Sequence, residues 1–68
     1  MYTEEEVKEL CAEMAEDFKV IEGDLELSED GLSAIIPYYA HGRTKTHTLD
    51  LQMAARTALI FARSRQPQ

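Results

Sequence analysis

The apolar residues of this chain change period twice, and that alternation limits what it can fold into. Over residues 3–18, "TEEEVKELCAEMAEDF", Val7, Leu10, Cys11, Met14 and Phe18 recur at intervals of three and four, the spacing that lines one face of a helix. Thr3 followed by Glu6 is the S/T-x-x-E pattern that opens one. A first helix is therefore predicted from Thr3 to Asp17 or Phe18, with Lys8, Lys19, Ala12 and Ala15 on its flank. Gly23 breaks the pattern, and Asp24–Ser28 alternates Leu25 and Leu27 with polar neighbours, as a half-buried strand does.

The middle of the chain changes to strand chemistry. "SEDG" (28–31) is a turn signal. "LSAIIPYYA" (32–40) is rich in aromatic and β-branched residues and reads as the main strand. Pro37 lacks an amide donor, which places this strand at an edge or gives it a bulge. "HGRT" (41–44) reads as a second turn and "KTHTL" (45–49) as a third, short strand. Asp50 or Thr48 is positioned to cap a second helix over 51–64, followed by a polar tail containing Pro67. The order is helix, three-stranded antiparallel meander, helix. It predicts one α+β domain over residues 1–68 with both helices on one face of the sheet.

A chain of 68 residues buries only about 60% of its unfolded surface, while ordering it costs roughly 100 kcal/mol of conformational entropy. Small domains often gain stability from a disulfide, a metal or a second subunit. Cys11 is the only cysteine, so no disulfide can form within one chain, and oligomerisation stays open. The chain has no signal peptide and no apolar run of membrane length, so a reducing cytoplasm is the expected setting. An apolar fraction of 44% argues against disorder.

Charge is divided unevenly. Residues 1–30 hold twelve acids against Lys8 and Lys19, a net of −10. Residues 31–68 hold five basic side chains against Asp50 alone, a net of +4. Such a division marks a charged interaction surface, or two halves of one fold that attract each other.

The residues for catalysis or metal binding do not form a convincing set. Cys11, His41, His47 and Asp50 are the residue types of a thiol nucleophile and its base. Cys11, however, sits inside the apolar stripe, where a small buried thiol is the ordinary occupant. Glu26, Ser28, Asp30 and Gly31 match the first positions of a calcium loop, but Pro37 stands where the bidentate glutamate belongs. His41 and His47 have no second cysteine to complete a zinc set. A non-enzymatic protein without cofactor or metal is expected.

Tyr38, Tyr39, Arg43 and Lys45 place aromatics beside basic groups, as single-strand binders do. The element order is also similar, in layout only, to the double-stranded-RNA-binding domain. That resemblance implies a lysine cluster opening the second helix, whereas this chain has "LDLQMAA" (49–55) there, with an acid and no lysine. The −10 half would also repel a polyanion.

The acidic face of the first helix is more distinctive. At 100° per residue, Glu5, Glu6, Glu9, Glu13, Glu16 and Asp17 lie opposite the apolar stripe, with no lysine among them. Glu4, Glu5 and Glu6 favour the positive end of the helix dipole. Glu5–Glu9, Glu9–Glu13 and Glu13–Asp17 are like-charge i,i+4 pairs, each costing roughly 0.2–0.5 kcal/mol. From Glu5 to Asp17 is about 18 Å of helix, so six acids give a charge every ~3 Å, against 3.4 Å between phosphates along one DNA strand. Small size, acidity and the lack of a catalytic set resemble in type the small inhibitors encoded by phages, including anti-CRISPR proteins and DNA mimics. That likeness implies a protein partner with a basic groove, itself a nucleic-acid-binding protein, met by Glu5, Glu9, Glu13, Glu16 and Asp17.

The second helix suggests a different contact. Leu51, Ala54, Ala55, Ala58, Leu59 and Ala62 form its expected inward face. Met53 and Ile60 emerge on the other side, with Arg56 and Arg63 as a rim. A homodimer or self-assembling scaffold subunit joined there is the alternative expectation, and a nucleic-acid binder using Tyr38, Tyr39, Arg43 and Lys45 is the third.

Overall fold

The computed structural model describes residues 2–64; the polar tail with Pro67 lies outside them. Helix α1 (Glu4–Glu22) is followed by strands β1 (Glu26–Leu27), β2 (Ser33–Ala40) and β3 (Arg43–Asp50), then helix α2 (Gln52–Ser64). The strands form one antiparallel sheet in the order β1-β2-β3. The α-β-β-β-α order read from the sequence is the order observed.

The signals at the helix starts work as their chemistry requires. The Glu6 amide donates to Thr3 Oγ1 and the Thr3 amide to Glu6 Oε1, each at 3.2 Å, a complete capping box. At α2 the Leu51 carbonyl opens the helix ladder to Ala55, and the Gln52 amide donates to Asp50 Oδ1 at 2.9 Å, so Asp50 rather than Thr48 satisfies the first amide of the helix. The end of α1 differs from expectation. The helix runs past Phe18 to Glu22 and stops at Gly23, whose φ of 85° suits glycine and whose amide donates to the Lys19 carbonyl. The extra turn carries Val20 and Ile21 into solvent, 87% and 78% exposed.

β2 is the central strand, not an edge, and pairs with β3 without a bulge from Ser33↔Asp50 to Ala40↔Arg43. Pro37 is tolerated because β1 is only two residues long. The Ser33 carbonyl accepts from the Ser28 amide on the β1 side, and strand alternation turns the Pro37 nitrogen to that same side. There, beyond the Glu26↔Ile35 pair, no ladder bond is lost. The β2–β3 turn is the pair His41–Gly42 with φ of 54° and 76°, the two positive values of the type I′ hairpin turn. β3 consequently begins at Arg43, two residues earlier than its hydrophobic alternation indicated.

The core is small. Val7, Cys11 and Ala15 on α1, Leu25 before β1, Ala34 on β2, and Leu51 and Ala55 at the start of α2 are buried. Leu10, Met14, Phe18, Leu32, Ile36, Leu49 and Leu59 pack partly against it. Ala15, read as a flank residue, is thus a core residue, because the buried seam of α1 follows the four-residue steps 7–11–15. On α2, Ala54, Ala58 and Ala62 are exposed rather than inward. That helix packs mainly against the first half of α1 through Leu51, Ala55 and Leu59, so only a narrow stripe is covered.

The β1–β2 loop is held by Asp30, whose Oδ1 accepts from the Ser28 hydroxyl and the Leu32 amide. These two bonds hold the Asp30 carboxyl below its ordinary value. Their stabilising effect is therefore complete above the unfolded aspartate range, near pH 4, and is lost as pH falls through the lowered folded value. Asp30→Asn should lower the urea midpoint at pH 7, and the gap between variant and wild type should narrow as pH falls below about 4. Ala34→Leu, which adds three carbons between α1 and the sheet, should cost about 1–3 kcal/mol, read as a lower urea midpoint with an unchanged denaturant slope.

Candidate functional site

α1 is amphipathic by its spacing, and the structure sorts the acids from Glu4 to Asp17 into two groups, with Glu22 exposed by itself in the last turn. The first group is neutralised within the chain. Arg56 on α2 donates to both carboxylate oxygens of Glu4 at 2.9 and 3.0 Å, with its guanidinium 5.7 Å from the Tyr2 ring centroid. Arg63 pairs with Glu6, and Lys19 with Glu16 at 3.3 Å. Arg56 is shared with Gln52 Oε1 as well, and its bonds to Tyr2 and Glu4 raise its already high pKa.

The second group is Glu5, Glu9, Glu13 and Asp17. All four are exposed, and none has a cation within ion-pair distance among the described residues. They follow one another at four-residue steps, the ridge direction of a helix surface, about 6 Å apart along ~18 Å of axis. Of the five acids expected to meet a partner, Glu16 is therefore drawn towards Lys19 and four remain as a continuous ridge. Their spacing is close to every second phosphate of one DNA strand.

Beside the ridge lies an apolar cleft of about 310 Å³ lined by Met14, Asp17, Phe18 and Ile21. Sequence reasoning missed it because it ended the helix at Phe18, one turn short of Ile21. Gly23 was the available signal: a glycine at the position following the helix places its last turn at Lys19–Glu22. A second recess, of about 540 Å³, lies between the end of α1 and the middle of the hairpin. Its rim is formed by Lys19, Asp24, Glu26, Ile35, Pro37 and Thr46.

The other candidate groups are dispersed. Cys11 is fully buried, and burial first, then the Asp50 carboxylate, push its thiol above the ordinary value, which keeps it protonated and unreactive. His41 is in the hairpin turn and His47 is exposed on β3; neither contributes to the charge surroundings of that thiol. No group of three or more histidine, cysteine, aspartate or glutamate side chains suited to a metal occurs among the described residues. None of the described helices is long and apolar enough to cross a membrane.

The hairpin register separates the residues proposed for nucleic acid. Tyr38 is opposite Lys45 and Ala40 opposite Arg43, whereas Tyr39 is opposite Thr44. Side chains alternate between faces along a strand, so Tyr38, Lys45 and Arg43 share one face and Tyr39 projects from the other. The two tyrosines do not form a single stacking platform. On α2, Met53 and Ile60 are exposed, and Arg56 and Arg63 turn to α1. The chain matches no protein family, no curated protein and no solved structure.

The ridge carries a stability cost that a single charge reversal should expose. Glu13→Lys removes two like-charge pairs, with Glu9 and Asp17, and replaces them with attractive ones. It should raise stability by roughly 0.5–1 kcal/mol, seen as a higher thermal midpoint whose increment shrinks in 1 M salt.

Proposed function

We propose that this protein is a non-enzymatic protein-binding module, a regulator or inhibitor that presents the α1 ridge to a basic groove built for nucleic acid. The observation that carries this reading is the sorting of charge on α1. Three of its acids are matched by Arg56, Arg63 and Lys19, while Glu5, Glu9, Glu13 and Asp17 are left in line and unmatched. A helix selected only for solubility would intersperse lysines along that face and gain from i,i+4 pairs. Here the arrangement sacrifices local stability and keeps the charges at a regular repeat. A long straight helix also holds them without the entropy cost of ordering a loop.

The partner surface is a groove lined by lysine and arginine, and association depends strongly on salt. The chain carried on beads should retain nucleic-acid-binding proteins from a cell extract at low salt and release them to added duplex DNA. The quadruple variant Glu5→Gln, Glu9→Gln, Glu13→Gln, Asp17→Asn keeps the helix and removes the charge. It should retain those proteins at least ~10-fold less, given about 1.4 kcal/mol per decade. Equal retention by the variant, or retention indifferent to DNA, would refute the ridge as the contact.

A further inference from the structure

The four residues that line the apolar cleft of α1, Met14, Asp17, Phe18 and Ile21, stand at i, i+3, i+4 and i+7. That spacing forms the hole into which a facing helix inserts one side chain. Met14 and Phe18 are half-buried against the core and make a floor that is held in place. Asp17 and Ile21, the latter 78% exposed, are the free rim. At about 310 Å³ the cleft is at the low end of what encloses a small ligand. It lies on the flank of α1, between the buried seam and the acidic ridge. Ile21 is also the next four-residue step of the row Glu5, Glu9, Glu13, Asp17, so ridge and cleft meet at Asp17.

We propose that ridge and cleft are one docking surface for a cationic amphipathic helix of the partner, its cations along Glu9, Glu13 and Asp17 and one large apolar side chain in the cleft. This rests on the reading of the ridge as a contact, and names the element that meets it. Rows at four-residue steps are inclined to a helix axis, and two helices whose rows interdigitate cross at about −50°. A partner helix lying in that way repeats the same ~6 Å step, so its pattern is cation-x-x-x-cation-x-x-x-apolar, read in either direction. The hole one turn towards the N-terminus, formed by Leu10, Glu13, Met14 and Asp17, shares two residues with the cleft. Its apolar members suit the aliphatic stem of a lysine or arginine whose charged end reaches Glu13 and Asp17.

Charge selects this occupant over others. Glu9, Glu13 and Asp17 have no cation within ion-pair distance among the described residues, so whatever enters the cleft lies beside unmatched acids. A nucleic acid or an anionic lipid surface is repelled there. A second copy of this chain has no suitable helix. Its α1 brings the same acids, and Arg56 and Arg63 of its α2 are held by Glu4 and Glu6. An uncharged apolar helix would fill the cleft but cover acids without supplying partners, which is costly. A cationic amphipathic helix satisfies both parts of the surface.

The test titrates two alanine-rich helical peptides of about 20 residues into the full chain, with binding read by calorimetry at low salt. Both peptides carry arginines at i and i+4; one has leucine at i+8 and the other alanine. The leucine peptide should bind at least ~10-fold more tightly. Ile21→Gln should remove that difference. Val20→Gln, at a comparably exposed position that does not line the cleft, should preserve it. Because both positions are exposed, circular dichroism should show the same helix content in each variant as in the wild type. Equal binding of the two peptides to the wild type, or a leucine advantage that survives Ile21→Gln, overturns the cleft and leaves the ridge standing. Failure of both peptides to bind, or undiminished binding to the quadruple ridge variant, overturns the ridge reading and this inference with it.

Discussion

The fold depends on one close approach, where Val7, Cys11 and Ala15 on α1 meet Ala34 of β2 and Leu51 and Ala55 at the start of α2. Small side chains bring three elements together within a narrow volume, and little can be added there without pushing them apart. The same smallness limits what burial contributes, since stabilisation scales at about 25 cal/mol per Å² of apolar surface. Larger residues, Met14, Phe18, Ile36 and Leu59, pack only at the margins. The protein is therefore specified by shape at its centre and left with apolar surface at its edges. Val20, Ile21, Tyr39, Met53 and Phe61 are the visible result.

That seam also decides which acids are free. By holding α2 against the first half of α1, it brings Arg56 to Glu4 and Arg63 to Glu6. The uneven charge of the two halves allowed a simple reading, that they attract each other, and these pairs show it to hold in part. It does not extend to the ridge, because Glu5, Glu9, Glu13 and Asp17 lie on the side of α1 opposite the buried Val7, Cys11 and Ala15. Surface pairs such as these contribute little to stability, so their importance is positional: they leave four acids of one helix unmatched and in register.

Much of the fold was legible because local chemistry and tertiary context agreed. The capping box at Thr3 and Glu6, the strand run before His41 and the Asp50 cap each depend on neighbours within four residues, and each appears as its sequence implies. The errors arise where the outcome is set by distant partners. Val20 and Ile21 look like residues that should leave a helix, yet the turn continues because Gly23 supplies the stop. Pro37 looks like an edge residue, but what tolerates it is the shortness of β1, which no residue near Pro37 encodes. Ala15 and Ala54 are the same residue type on helices of similar pattern, one buried and one exposed, because cover depends on where the other helix lies. The candidate site was legible as an acidic face; its reduction to four residues came from a local pair, Glu16 with Lys19, while the arginines of α2, fifty residues away in sequence, take Glu4 and Glu6 beside it.

The two helices have outward faces of opposite character, and the difference has a physical consequence for how they can be used together. A charged ridge acts at a distance, over roughly a Debye length, and is tuned by salt. An uncharged face of alanine, methionine and phenylalanine acts only on contact and is insensitive to salt. Placing them on different helices separates a long-range surface from a short-range one.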